Sequence, residues 1–244
     1  MSATNTAAEL LSALPLRHPA HVIGDRHVLV IAPHPDDETL GCGGLLAWAA
    51  ATRRSPRVLF LTDGEQSHPA SAAFPPERLA QVRRQEAVEA CQALGISDDA
   101  ITFLGLPDSG LEALGDAQTR KAVQSIRDWI MKSSRAAVCV TAKTDRHSDH
   151  VAAHRLTSDA LRGRHQHRLL AYPVWTWFDS GGGIRVQGWR IDIASFRAKK
   201  CLALARYRSQ QGELITDAPH AFALPRELME RAQQSYEVLL DAQV

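Results

Sequence analysis

The 244 residues predict an α/β fold in three layers, helix on sheet on helix, with a mostly parallel sheet and an antiparallel edge hairpin toward the C-terminus. Short apolar runs of strand length alternate with amphipathic runs of helix length, the alternation that gives right-handed crossovers and a parallel sheet covered on both faces. Proline and glycine punctuate the changes of element. Hydrophobic residues at 45% and charged residues at 23% give the balance of a folded globular chain.

After a short N-terminal segment around Ala7 to Leu16, the run HVLVIA from His27 to Ala32 is a buried strand that ends at a proline-bounded turn. A helix from about Glu38 to Arg53 follows, then a second strand, RVLFLT, at Arg57 to Thr62. Glu77 to Leu94 is a long amphipathic helix stopped by Gly95, and Ile101 to Leu106 is strand-like. A helix near Ala117 to Lys132, a strand at Ala136 to Thr141 and a helix from His150 to about Arg162 continue the alternation. His167 to Tyr172 is a strand, and an aromatic stretch then runs into Gly181, Gly182 and Gly183. Ile184 to Ile193 partly alternates and is expected to pair back as the antiparallel edge, while Arg197 to Arg208 and Arg226 to Leu240 read as helices. This layout is Rossmann-like. No repeat or low-complexity linker marks a boundary, so residues 1–244 are expected to form a single domain.

Composition narrows the function. The net charge of +1, from 28 basic and 27 acidic residues, offers no broad surface for nucleic acid or an anionic membrane, and favours a small, weakly charged partner. Cys42, Cys91, Cys139 and Cys201 form no C-x-x-C pair and read as separate reduced thiols. The first twenty residues lack the basic and apolar regions of a secretory signal, and no later apolar run is long enough to span a bilayer, so a cytoplasmic location is expected. A homo-oligomer is compatible with all of this.

The most informative run is Ala32-Pro33-His34-Pro35-Asp36-Asp37-Glu38, placed where the first strong strand leaves the sheet at its carboxyl end, the place where open α/β folds bind ligands. Pro33 and Pro35 stiffen the backbone on either side of His34. The side chains of the adjacent Asp36 and Asp37 should diverge, which suits one to ligate a metal and the other to stand beside an activated water. His147-Ser148-Asp149-His150 follows another strand and brings a further imidazole to the same edge. Two His and one Asp would give Zn²⁺ three protein ligands and leave one position open, the arrangement of catalytic zinc.

These runs resemble the signatures of the PIG-L/LmbE-like zinc-dependent N-deacetylases, (A/P)-H-P-D-D-E followed later by H-x-D-H. Arg83-x-x-Glu86 and Leu106-Pro107-Asp108-Ser109-Gly110 are similar to two further family segments, with Ser109 where a glycine is common; the match covers roughly Val28 to His154. The resemblance implies that His34, Asp37 and His150 bind zinc, Asp36 is the general base, His147 polarises the carbonyl or steadies the oxyanion, and Asp149 orients its neighbours. Arg83 and Asp108 would contact substrate, or else form an internal ion pair. The implied function is removal of an acetyl group from an N-acetylated amino sugar or related glycoconjugate. A zinc amidohydrolase on another small amide, a catalytically silent ligand-binding relative and a nucleotide-sugar transferase are the alternatives.

Other features carry plainer readings beside the functional ones. His154 shares a helical face with His150 and could ligate, but the resemblance favours His150 alone and implies that His154 packs or supports a ligand from behind. Gly41, Gly43 and Gly44 do not complete G-x-G-x-x-G and are expected to let a helix sit close to the sheet. His165 and His167 lie in a basic run expected to be a solvated face. Trp175 and Trp177 fit a sugar platform or a core equally. Asp179 to Gly183 is expected to be a flexible tip, acting as a lid or as an ordinary turn.

Overall fold

The computed structural model describes residues 6–180, 186–218 and 222–242. The chain runs α1 (Ala7–Ser12), β1 (Leu16–Arg17), α2 (Pro19–Ile23), β2 (His27–Ala32), α3 (Asp37–Ala51), β3 (Arg57–Thr62), α4 (Pro76–Leu94) and β4 (Ile101–Leu106). It continues through α5 (Asp116–Met131), β5 (Ala136–Thr141), α6 (Ser148–Leu161), β6 (Arg168–Tyr172), β7 (Gly188–Asp192), α7 (Arg197–Leu204), α8 (Arg226–Ala232) and β8 (Tyr236–Asp241). Eight strands form one sheet in the order β1-β7-β8-β6-β5-β2-β3-β4.

The alternation within β2 builds the layers. Val28, Val30 and Ala32 pack with residues of α3, α4, α7 and α8 on one face, while Leu29 and Ile31 pack with α5 and α6 on the other. Successive side chains on a strand point to opposite faces, so a strand buried on both faces reads as an unbroken apolar run. From β2 the chain steps outward through β3 to β4, then returns to place β5 on the other side of β2. The crevice at the carboxyl ends of β2 and β5 is therefore a topological switch point, where ligands bind in such sheets.

The mostly parallel sheet is as expected, and its antiparallel part is assembled differently from a local hairpin. β7 lies antiparallel to β8, β8 is inserted antiparallel beside β6, and the two residues of β1 close the edge parallel to β7. The helix expected over Arg226 to Leu240 stops at Ala232, and its second half is β8. Glu237 explains the difference. In the strand its buried carboxylate accepts the N–H groups of Gly44 and Leu45 on α3, at 2.7 and 2.9 Å, and pairs with Lys200 of α7 at 2.7 Å. Partners from distant segments satisfy this buried charge, and no local pattern in the sequence points to them.

The glycines of α3 act as spacers. A Cβ on Gly41 would lie 2.1 Å from the Tyr172 ring of β6, and one on Gly44 would lie 2.6 Å from Ile193. Gly41→Ala is expected to cost about 1–3 kcal/mol through overpacking. Thermal or urea denaturation checks this; an unchanged midpoint would show that Tyr172 yields freely.

Candidate functional site

Two turns at the switch point bring the chemistry together. The first follows β2, where Thr62 of β3 pins the Pro33 carbonyl through both its N–H and its hydroxyl, at 3.0 and 2.9 Å. Asp36, the residue before α3, has φ 130°, a conformation that side chains other than glycine rarely adopt. Its surroundings hold it there. Arg83 of α4 donates to the Pro35 carbonyl at 2.6 Å and to the Asp36 carboxylate at 3.1 Å, and the Asp36 N–H donates to Glu38 at 3.1 Å. Strain of this kind persists only where neighbours over-determine the backbone.

The second turn follows β5. His147 caps α6, its Nδ1 accepting the Asp149 N–H at 3.2 Å. That bond places the proton of a neutral ring on Nε2, facing away from the cap. Burial, then the charges of His34 and His150, hold His147 below the ordinary histidine range, which favours the neutral form.

Between the turns, Asp37 Oδ2 lies 3.1 Å from His34 Nδ1 and 3.2 Å from His150 Nε2, and these three side chains offer atoms close enough to share one metal ion. A second combination, His34 with His147 and Asp149, meets the same distance test. Its donors are already engaged. Asp149 accepts the Ser109 and Leu111 N–H groups at 2.8 and 3.0 Å and faces His34 Nε2 at 3.2 Å, while His147 Nδ1 faces the Asp149 N–H. Asp37 Oδ2 in turn accepts the His34 N–H at 3.1 Å, and the set of His34, Asp37 and His150 differs in being buried throughout.

Electrostatics agree. Burial would by itself lower the His34 and His150 imidazoles, but carboxylates outweigh it. Asp108, Asp149 and Asp37 raise His34 well above the ordinary range, and Asp37 with Asp145 raises His150 to about 9. Burial would raise Asp37, and the two imidazoles instead hold it well below the carboxylate range. Asp36, pushed up by burial against the pull of Arg83, reaches about 8. A buried pocket that draws protons onto two imidazoles is anionic at heart, and a metal cation meets that demand as the protons do.

The remaining residues named from the sequence fall as follows. Arg83 and Asp108 both line the cavity, but they do not form the ion pair considered above. The Arg83 guanidinium is taken up by Asp36, Pro35 and Gly64, and Asp108 faces His34 at 3.2 Å while accepting the Gln66 N–H at 2.7 Å. His154 stands apart, its Nδ1 3.0 Å from the Thr141 carbonyl. The two tryptophans separate: Trp175 lines the cavity near Phe222, whereas Trp177 packs toward Leu11 and Leu14 under Arg231. His165 is exposed as expected, but His167 is buried. Gly181 to Gly183 of the expected flexible tip lie outside the described residues.

Sequence reasoning missed Asp145, Gln210 and Phe222. Asp145 stands two residues before His147 and lies beside His150; the others reach the cavity from segments far along the chain. No local period marks them.

Comparison with known proteins gives a consistent likeness. The family model PIG-L, GlcNAc-PI de-N-acetylase, matches residues 29–161. The probable N-acetyl-alpha-D-glucosaminyl L-malate deacetylase 2 of Bacillus subtilis (strain 168) is 35% identical over 109 residues, 44% of this chain and 48% of the relative. A 1D-myo-inositol 2-acetamido-2-deoxy-alpha-D-glucopyranoside deacetylase of Salinispora arenicola (strain CNS-205) is 30% identical over 158 residues, 56% of this chain and 50% of the relative. The chain thus spans about half the length of these curated relatives. The crystal structure of the conserved protein TT1542 from Thermus thermophilus superposes with a TM-score of 0.61 at 30% identity, covering 84% of each chain.

Proposed function

The chain belongs to the PIG-L family, GlcNAc-PI de-N-acetylase, and from that premise we propose that it is a zinc-dependent hydrolase that removes the acetyl group from an N-acetylated amino sugar or a related glycoconjugate. The observation that carries the proposal is the convergence of His34 Nδ1, Asp37 Oδ2 and His150 Nε2 beside a separate carboxylate, Asp36, that is no part of the donor set. Two imidazoles and one carboxylate suit zinc and leave room for a reacting group. Bound there, the metal would acidify a water and polarise the acetyl carbonyl.

The chain's own residues do the rest. Asp36 accepts the proton of the attacking water and returns that proton to the leaving amine, and burial holds its pKa above the ordinary carboxylate range. Arg83 fixes the carboxylate in place through the 3.1 Å pair and through Pro35. His147, neutral with its proton on Nε2, donates to the oxygen that gains charge as the carbonyl carbon becomes tetrahedral. The amino termini of α3 and α6 both open at the site, and their dipoles favour negative charge there.

Beside this polar floor stands Trp175, with Phe222 set against it edge to face at 6.3 Å. An aromatic wall opposite polar side chains suits a sugar ring, which has an apolar face and hydroxyl edges. The two curated relatives act, by their names, on N-acetylglucosaminyl malate and on an acetamido-deoxy-glucopyranoside of myo-inositol, which supports the same substrate class. Asp108 is read as a substrate contact through the edge it leaves toward the cavity, and Arg83 as support for the base as well as a wall of the site. Among the described residues no helix is long and apolar enough to cross a membrane. All four cysteines are unpaired, which fits the reducing cytoplasm that we propose as its location.

The test is a screen of purified, zinc-loaded protein against N-acetylated sugars and their lipid, polyol and nucleotide conjugates, scoring free amine and acetate. Release of both in equal amounts is expected. Amine release confined to amides without a sugar would favour a general amidohydrolase. His154→Ala should leave metal content near wild type by elemental analysis; loss of the metal there would mean that His154 is a ligand.

A further inference from the structure

Asp145 takes no part in the chemistry just described, yet its side chain is fully buried at the edge of the site. Burying an unpaired carboxylate is costly, so its partners should show what it is for. Oδ2 accepts the N–H groups of Val174 and Trp175 at 3.1 and 2.9 Å, and Oδ1 lies 3.5 Å from the His147 N–H. Oδ2 also stands 3.4 Å from His150 Nδ1, a buried nitrogen that has no hydrogen-bond partner and whose near acceptor is this carboxylate. Asp145 is thus the acceptor at hand for that ring. With Nδ1–H turned toward Asp145, the lone pair of Nε2 faces Asp37 and the cation site.

The opposite ligand shows the same construction in mirror form. His34 presents Nδ1 to Asp37, and its Nε2 is braced by Asp149 and Asp108, each at 3.2 Å. An outer carboxylate on the far nitrogen of a ligating imidazole fixes both the tautomer and the ring orientation.

We propose that Asp145 is the positioning residue for His150, and that the same carboxylate ties this metal ligand to the Val174–Trp175 wall of the cavity. The inference rests on the metal-site reading above and not on the identity of the substrate. A single anion then sets two things: which nitrogen of His150 meets the metal, and where the aromatic wall stands relative to it.

Asp145→Asn keeps an oxygen for the backbone N–H groups but removes the charge that faces His150. Metal-free protein, prepared with a chelator, is titrated with zinc against a competing indicator. The zinc dissociation constant is expected to rise by about 10–100-fold, the usual cost of losing such a partner, while the melting temperature of the metal-free chain stays near wild type. An unchanged dissociation constant overturns the proposal, as does a loss of affinity that merely follows a loss of metal-free stability. Should the variant not fold, nitrogen NMR of His150 in the zinc-loaded wild type decides: a protonated Nδ1 with Nε2 on the metal supports the assignment, and Nδ1 on the metal overturns it. A wild-type chain that takes up no zinc would instead remove the metal reading on which the proposal depends.

Discussion

Asp36→Asn is expected to lower kcat by about 10²–10⁴-fold, roughly 3–5 kcal/mol of barrier, while zinc content stays near one per chain. The substitution preserves shape, and one amide oxygen can still meet Arg83 at the position now held by Oδ2. What it removes is the group proposed to take a proton from water and give one to the amine. Because Asp36 lies outside the proposed donor set of His34, Asp37 and His150, the metal should remain. Steady-state kinetics with elemental analysis of the same preparation separate the two effects. The wild-type pH–rate profile should also carry an acidic limb that the variant lacks, although water on the metal titrates in a similar range. An Asp36→Asn chain that holds its zinc and turns over at the wild-type rate would sink the mechanism.

Removing a ligand should act in the opposite order, on the metal first and on activity as a consequence. His34→Ala, Asp37→Asn and His150→Ala are each expected to weaken zinc binding by more than the roughly 10–100-fold that loss of an outer partner costs. Asp37 should be the most sensitive, since its Oδ2 is the atom on which both imidazoles converge. Retained stoichiometric zinc in Asp37→Asn would point to the alternative set with His147 and Asp149.

Proton linkage gives a second readout. In the metal-free chain the His150 pKa is raised from its ordinary 6.5 to about 9, chiefly through Asp37 against the opposing effect of burial. Its contribution to metal-free stability is therefore full below about pH 6.5 and is lost as pH rises through about 9. Zinc must displace that proton, so affinity should fall as pH is lowered below about 9, and binding at neutral pH should acidify a weakly buffered solution. Zinc uptake without proton release would mean that the imidazoles are already neutral in the metal-free chain.

Much of this molecule was legible in its sequence, for a local reason. A strand buried on both faces needs an unbroken apolar run, and β2, β3 and β5 coincide with HVLVIA, RVLFLT and AAVCVT. His34, Asp37 and His150 were singled out through the resemblance of two motifs to a known family, and the parallel topology carries the ends of β2 and β5, which precede those motifs, to one edge. Gly41 and Gly44 likewise pointed to close packing before their neighbours, Tyr172 and Ile193, were known.

Tertiary structure alone decided the rest. Tyr236 to Leu240 falls within the run expected as a helix and instead lies in β8, where Glu237 meets Lys200 and the N–H groups of α3. Arg83 reads as a substrate contact or half of an ion pair with Asp108, yet its guanidinium is held by Asp36 and two carbonyls. Trp175 and Trp177, two residues apart, part company because a short 3₁₀ turn sends one to the cavity and the other to the packing around Leu11 and Leu14. Asp145 looks like one more loop aspartate until His150, Val174 and Trp175 are seen around it. Periodicity and motif spacing are properties of neighbours along the chain. The partner of a buried charge is chosen in space, where residues far apart in sequence compete to neutralise it, and no local pattern records the outcome.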